Sequence, residues 1–254
     1  DNEIIAHEYG HGISIRLTGG ANTSACLNNA EQMGEGWSDW FGLMITMKVG
    51  DQADEGRGMA TYSAGQGLDG NGIRQYKYCR DMTVNPLTYA DLPATGGQVH
   101  AVGTIWATMI WDLNWDLIDE YGYDPDMYNG TGGNNIAMQL IIDGLKLQPC
   151  SPGFVDGRDA ILEADELAYG GANQCIIWDA FARRGLGFSA SQGATGNVSD
   201  GIVAFDIPED CENLGINDNN FDNNFIIYPN PSNGNINIKP LLDFGDAKVS
   251  IYDI

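Results

Sequence analysis

The sequence predicts a mainly α fold, a helical region over residues 1–206, followed by a linker at 207–224 and an incomplete small β-sandwich tail at 225–254. Three observations carry that expectation. Apolar residues recur at helical spacing in six segments upstream of residue 190. The composition then turns Asn/Asp-rich over residues 213–224 (NLGINDNNFDNN). Past it, FIIYPNPSNGNINIKP and AKVSIYDI alternate with a period of two between turn residues, and the chain stops inside that pattern.

The elements follow in order. Residues 2–16 (NEIIAHEYGHGISIR) set Ile4, Ile5 and two histidines at helical spacing, and Thr18-Gly19-Gly20 stops the helix. After a Gly/Asn/Ser-rich loop, a second helix is expected over residues 30–48, apolar almost all round and therefore buried. Residues 50–97 read as one irregular stretch, rich in Gly, Tyr and Asp and carrying Pro86 and Pro93. Loops of that length are uncommon without function, so the stretch is expected to wall a cleft. Tyr62, Arg74, Tyr76 and Tyr89 fall in it, as substrate contacts or as packing. A third helix is expected over 98–121 and others near 133–147, 156–168 and 173–184. The last closes on Arg183-Arg184-Gly185, a basic final turn followed by a glycine stop.

Composition narrows the function classes. Among 254 residues, 35 acidic against 12 basic give a net charge of −23, which disfavours nucleic acid and anionic membrane surfaces as partners. No run of eighteen apolar residues occurs, so no membrane insertion is expected. The chain opens on Asp1-Asn2-Glu3 without a signal peptide, directly before its first motif, so an upstream half is expected to be missing. Five cysteines with no CxxC spacing argue against a Cys-ligated metal, and an exported protein would form one or two disulfides and leave a thiol over.

The chemistry concentrates in two motifs. In His7-Glu8-Tyr9-Gly10-His11 the histidines are four apart, on one face of a helix, so both imidazoles reach one ion. Glu8 sits beside them, placed to take a proton from water without ligating the metal. Neutral imidazoles suit one zinc ion, whose catalytic sites keep three protein ligands and an open position. The second motif is Gly34-Glu35-Gly36-Trp37-Ser38-Asp39, with two carboxylates four apart on an otherwise apolar helix. Burying both is costly unless each finds a partner. Glu35 as third zinc ligand resolves the first. A hydrogen bond from a ligand histidine, accepted by Asp39, resolves the second and fixes that ring's orientation.

HExxH followed by a helix bearing ExxxD resembles the thermolysin-like metallopeptidases. HEYGHGISIRLTGG and CLNNAEQMGEGWSDW are closer to the fungalysin family, and the likeness continues through TVNPLTYADL, VHAVGTIWATMIWDLNWDLIDEYG, LQPCSPGFVDGRDAILEAD and GGANQCIIWDAFARRGLG, over residues 1–190. The resemblance implies the helical C-terminal lobe of a thermolysin-like metallopeptidase. It implies a secreted zinc endopeptidase acting on proteins or peptides through zinc-activated water with Glu8 as general base. It also implies a propeptide and an upstream β-rich lobe that would supply one wall of the cleft. His100, in QVHAVG, corresponds by resemblance to the histidine that stabilises the oxyanion. Cys150 and Cys175 lie in a closely matching stretch and are expected to pair. Calcium finds no EF-hand loop, because the Asn/Asp run at 217–224 lacks the glycine and bidentate acid such a loop needs. The tail, with YPNPSNG and a closing VSIYDI, resembles the C-terminal sorting domain of the bacterial type IX secretion system, which implies contact with secretion machinery.

Overall fold

The computed structural model describes residues 1–211, 225–228 and 237–240. It divides into two compact units, Asp1–Cys211 and Glu212–Ile254.

The first unit is helical, as its periodicity predicts. Helix α1 (Asn2–Leu17) is capped by Asp1, whose side chain accepts from the Glu3 N–H, and it ends at Thr18 before Gly19 and Gly20, both at positive φ. Helix α2 (Gly34–Ile45) is shorter than expected at both ends. Gln32 Oε1 accepts from the Gly34 N–H at 2.7 Å, which closes the entry and keeps residues 30–33 out of the helix. Helices α3 (Val99–Tyr121), α4 (Gly133–Leu147), α5 (Phe154–Tyr169) and α6 (Gln174–Arg183) follow the expected segments within two residues at most ends. No helix among the described residues is long and apolar enough to cross a membrane.

Helix α3 is central. It packs against α2, α4 and α6, while α1 lies on α2 and α5 on α4. Its buried face carries Trp106, which meets Trp37 of α2 edge-on at 4.9 Å and Phe154 of α5 at 5.3 Å between ring centroids. Two glycine approaches set the helix spacing that the site needs. A Cβ added at Gly10 would lie 2.8 Å from the Ser38 backbone, so α1 can rest directly on α2 with its histidines over Glu35 and Asp39. A Cβ at Gly36 would lie 2.4 Å from the Gly103 carbonyl, so α3 approaches the other side of α2 just as closely.

Residues 50–97 are irregular, with a 3₁₀ segment at Tyr89–Thr95. The disulfides differ from the expected pair. Cys26 bonds to Cys150 and Cys175 to Cys211, while Cys79 is a buried free thiol. Cys150 and Cys175 lie beyond opposite ends of α5, whose 16 residues span about 24 Å, and each meets another partner. The loops at 26 and 150 are already joined by Ser151 N–H donating to the Cys26 carbonyl at 2.8 Å. The Cys175–Cys211 bond anchors the chain on α6 beyond the boundary expected at residue 206. Helix α6 ends on the expected basic turn at Arg183, with Gly185 at positive φ, but the next arginine is not solvated. Arg184 is fully buried and pairs with Asp112 of α3 at 2.7 Å.

In the second unit, β1 (Phe225–Tyr228) pairs antiparallel with β2 (Asn237–Pro240), Phe225 opposite Pro240 and Tyr228 opposite Asn237. The Asn/Asp-rich run at 213–224, the PNPSNG turn and the VSIYDI segment lie outside the described residues.

Candidate metal centre

Helical geometry brings the site together from two sides. The buried face of α1 is made by Ala6, His7, Gly10 and Ser14, and His11 follows His7 one turn later. The two rings stand edge to face with centroids 4.7 Å apart. Glu35, in the first turn of α2, meets both: its Oε2 is 3.3 Å from His7 Nε2 and its Oε1 is 3.5 Å from His11 Nε2. One ligand atom from each residue lies within 4.8 Å of the other two, and among the described residues this is the group of three or more such side chains that converges so. Ligands at zinc–nitrogen and zinc–oxygen distances near 2.05 Å define a tetrahedron with an edge of about 3.3 Å. Each histidine lies close to that spacing from a different Glu35 oxygen, and two imidazoles with one carboxylate are the donor types a catalytic zinc takes, with room for a fourth position.

Asp39 sits behind the cluster with no exposed surface. It takes four hydrogen bonds: from His7 Nδ1 at 2.7 Å, from Arg74 Nε and Nη2 at 2.6 and 2.8 Å, and from the Tyr78 hydroxyl. Burial alone would raise its pKa, and those donors hold it below the ordinary carboxylate value instead. An ionised Asp39 only accepts, so His7 donates through Nδ1, and in the neutral ring the lone pair of Nε2 then faces Glu35 and His11. Burial would lower the His7 pKa, but the hydrogen bonds and charges of Asp39 and Glu35 prevail and push it up to about 9. His11 is lowered, first by burial, with the His7 charge adding to it. Burial opposes ionisation of Glu35 as well, yet the His7 bond and the three histidine charges bring it down. The cluster thus favours bound positive charge at its centre.

The remaining expected residues lie around this centre. Glu8 is exposed, and its charge acts on the His11 ring. His100, in the first turn of α3, is half exposed and holds Nε2 3.5 Å from Glu35 Oε2. It lines an open cavity of about 620 Å³ together with Ile73, Arg74, Tyr76, Gln98 and Thr104. Tyr89 is instead a core residue stacked near Phe154, and Tyr62 projects into solvent. Arg74 therefore belongs to the site more tightly than its sequence context suggests, with Nη2 also 3.3 Å from Glu35 Oε2. Tyr78 was not legible at all. The one available signal was the burial cost of Asp39, which a single imidazole does not offset.

Comparison with known proteins gives the chain its relatives. Residues 1–190 match the sequence model of the family described as Fungalysin metallopeptidase (M36). The chain is 47% identical over 203 residues to the extracellular metalloproteinase MEP of Neosartorya fischeri, covering 77% of this chain and 31% of that protein. It is 45% identical over 203 residues to the extracellular metalloproteinase mep of Aspergillus fumigatus, with the same coverage of 77% and 31%. It is 43% identical over 216 residues to extracellular metalloproteinase 2 of Arthroderma gypseum, covering 82% and 33%. The chain spans about a third of the length of these curated relatives. It belongs to the fungalysin metallopeptidase family.

Proposed function

We propose that this chain carries the catalytic centre of a secreted, zinc-dependent endopeptidase that hydrolyses peptide bonds in proteins. The observation that carries the reading is the convergence of His7, His11 and Glu35, with ligand atoms within 4.8 Å of one another, beside an exposed glutamate and a cavity. His7 Nε2, His11 Nε2 and a Glu35 carboxylate oxygen would hold the ion. When bound, zinc supplies positive charge that polarises a scissile carbonyl and acidifies water. Glu8, adjacent to His7 and solvent-facing, takes the proton from the attacking water and delivers it to the leaving amine. His100 Nε2 donates to the oxygen on which negative charge develops. Asp39, buried and held ionised, keeps the His7 ring in register, and Arg74 and Tyr78 keep Asp39 so.

Extracellular naming of the relatives and two disulfides in the first unit support secretion. The organisation proposed for the protein is a helical catalytic lobe through residue 206, a linker to 224 and a sorting tail that meets secretion machinery. An upstream lobe and a propeptide, implied by the family resemblance, complete that reading.

The Glu8→Gln variant tests the mechanism. It should bind zinc as the parent does, by metal analysis, and lose casein hydrolysis by about 10²–10⁴-fold. Hydrolysis at the parental rate in the zinc-loaded variant would refute Glu8 as the base.

A further inference from the structure

Two hydrogen bonds at the start of α3 settle the orientation of a side chain beside the centre. Gln98 is the N-cap of the helix, and its Oε1 accepts from the Ala101 backbone N–H at 2.7 Å. A backbone N–H only donates, so the oxygen end of the amide must face Ala101 and the NH₂ end must face away. On that other side Nε2 lies 2.7 Å from His100 Nδ1. An amide NH₂ only donates, so Nδ1 is the accepting nitrogen of the ring. In a neutral imidazole the hydrogen then sits on Nε2. Nε2 is the atom that faces the metal-ligand cluster, 3.5 Å from Glu35 Oε2.

We infer that Gln98 is a positioning residue for the reaction: it selects the Nε2–H tautomer of His100 and holds that donor toward the oxygen that gains negative charge. The inference rests on the role proposed above for His100. Its force lies in the coupling of the two ends of one amide. The helix cap dictates which end is which, so the start of α3 and the tautomer of the next-but-one residue are set together. A near-isosteric glutamate at 98 would still cap α3 with one oxygen. Its other oxygen could only accept, so Nδ1 would then carry a hydrogen. A serine at 98 would keep a capping oxygen and present nothing to Nδ1.

Long-range ¹H–¹⁵N correlation of the histidine rings in the zinc-loaded protein, at one fixed pH, reads this directly. There are three histidines, and His7 and His11 serve as internal references. In the parent, His100 Nδ1 should give a pyridine-like signal and Nε2 a pyrrole-like one. In Gln98→Glu the Nδ1 signal should move to the pyrrole-like region. In Gln98→Ser it should average between the two, while amide signals across α3 stay in place. A hydrogen-bearing Nδ1 in the parent, or a ring unchanged in both variants, would overturn the inference. No turnover is needed for this measurement, so its failure is distinct from a failure of the peptidase reading.

Discussion

Two arginine–aspartate pairs are buried among the described residues, and they behave differently. Arg74 and Asp39 lie behind the metal centre, and Arg184 and Asp112 lie under α3. Both aspartates have no exposed surface. Arg184 directs its remaining donors to backbone carbonyls, at 2.6 Å from Asn85, 3.1 Å from Leu87 and 3.0 Å from Cys79, so it stitches the irregular stretch to the end of α6. Every donor of Arg184 is used within that network, which Arg183 joins at 3.6 Å from Asp112. The Asp39 network continues through His7 and ends on a lone pair turned toward Glu35 and His11 at the cleft. The carboxylates record the difference. Burial pushes the Asp112 carboxyl up to about 6 despite its guanidinium, whereas Asp39, with four hydrogen bonds, is held below the ordinary value. A buried ion pair therefore does not mark a functional site. An unsaturated end that converges with others does.

The largest expected effect comes from breaking the closed network. Arg184→Met removes the nearer of the two guanidinium groups beside Asp112, leaving only Arg183 at 3.6 Å, and strips four carbonyls of their donors. Stability to urea should fall by about 3–5 kcal/mol, as for other buried pairs deprived of one partner. Zinc affinity of the folded fraction should not change. A weakened zinc site in that fraction would show that the two networks are coupled.

Asp39→Asn tests the open network and should give the opposite balance. The amide keeps the shape but removes the charge that orients His7, and outer-shell losses of this kind weaken metal binding by about 10–100-fold. Competition with a chelator would read the loss. Unchanged zinc affinity with a stability loss as large as that of Arg184→Met would place Asp39 with the sealed pair instead.

The difference between the networks also explains what could be read from sequence. His7, His11, Glu35 and Asp39 were legible because each pair is four residues apart on its own helix, a local geometry that needs no knowledge of the fold. The six helices were legible for the same reason, while the start of α2 was not, because a Gln32 side chain rather than a pattern decides it. His100 emerged through family resemblance, since a lone histidine at a helix start has no distinctive spacing. Tyr78, the bond of Arg74 to Asp39 and the carbonyl partners of Arg184 stayed hidden. They come from residues 50–97, where no period exists and tertiary packing alone sets who meets whom. Arg183 and Arg184 looked like any basic helix end, although one of them is wholly buried. The cysteine pairing was equally non-local, fixed by loops 124 residues apart.

Glu31 extends the comparison to a buried carboxylate with no cation at all. It has no exposed surface, and neither of its oxygens has a hydrogen-bond partner of good geometry. Burial, with the charges of Asp200 and Asp156, pushes its pKa up to about 7, and the nearby Phe154 N–H offsets only part of that. The folded value lies above the unfolded one, so the native state binds this proton more tightly. The stability it contributes is complete below about pH 4.5 and is lost as pH rises through about 7. Glu31→Gln cannot ionise, so it should be more stable than the parent above pH 7, by about 1–2 kcal/mol once water penetration is allowed for, and close to it at pH 4.5. Thermal melts of both proteins across that range give the difference directly. A parent as stable as the variant at pH 8 would mean that Glu31 finds a partner after all, and would place it with the open network of Asp39.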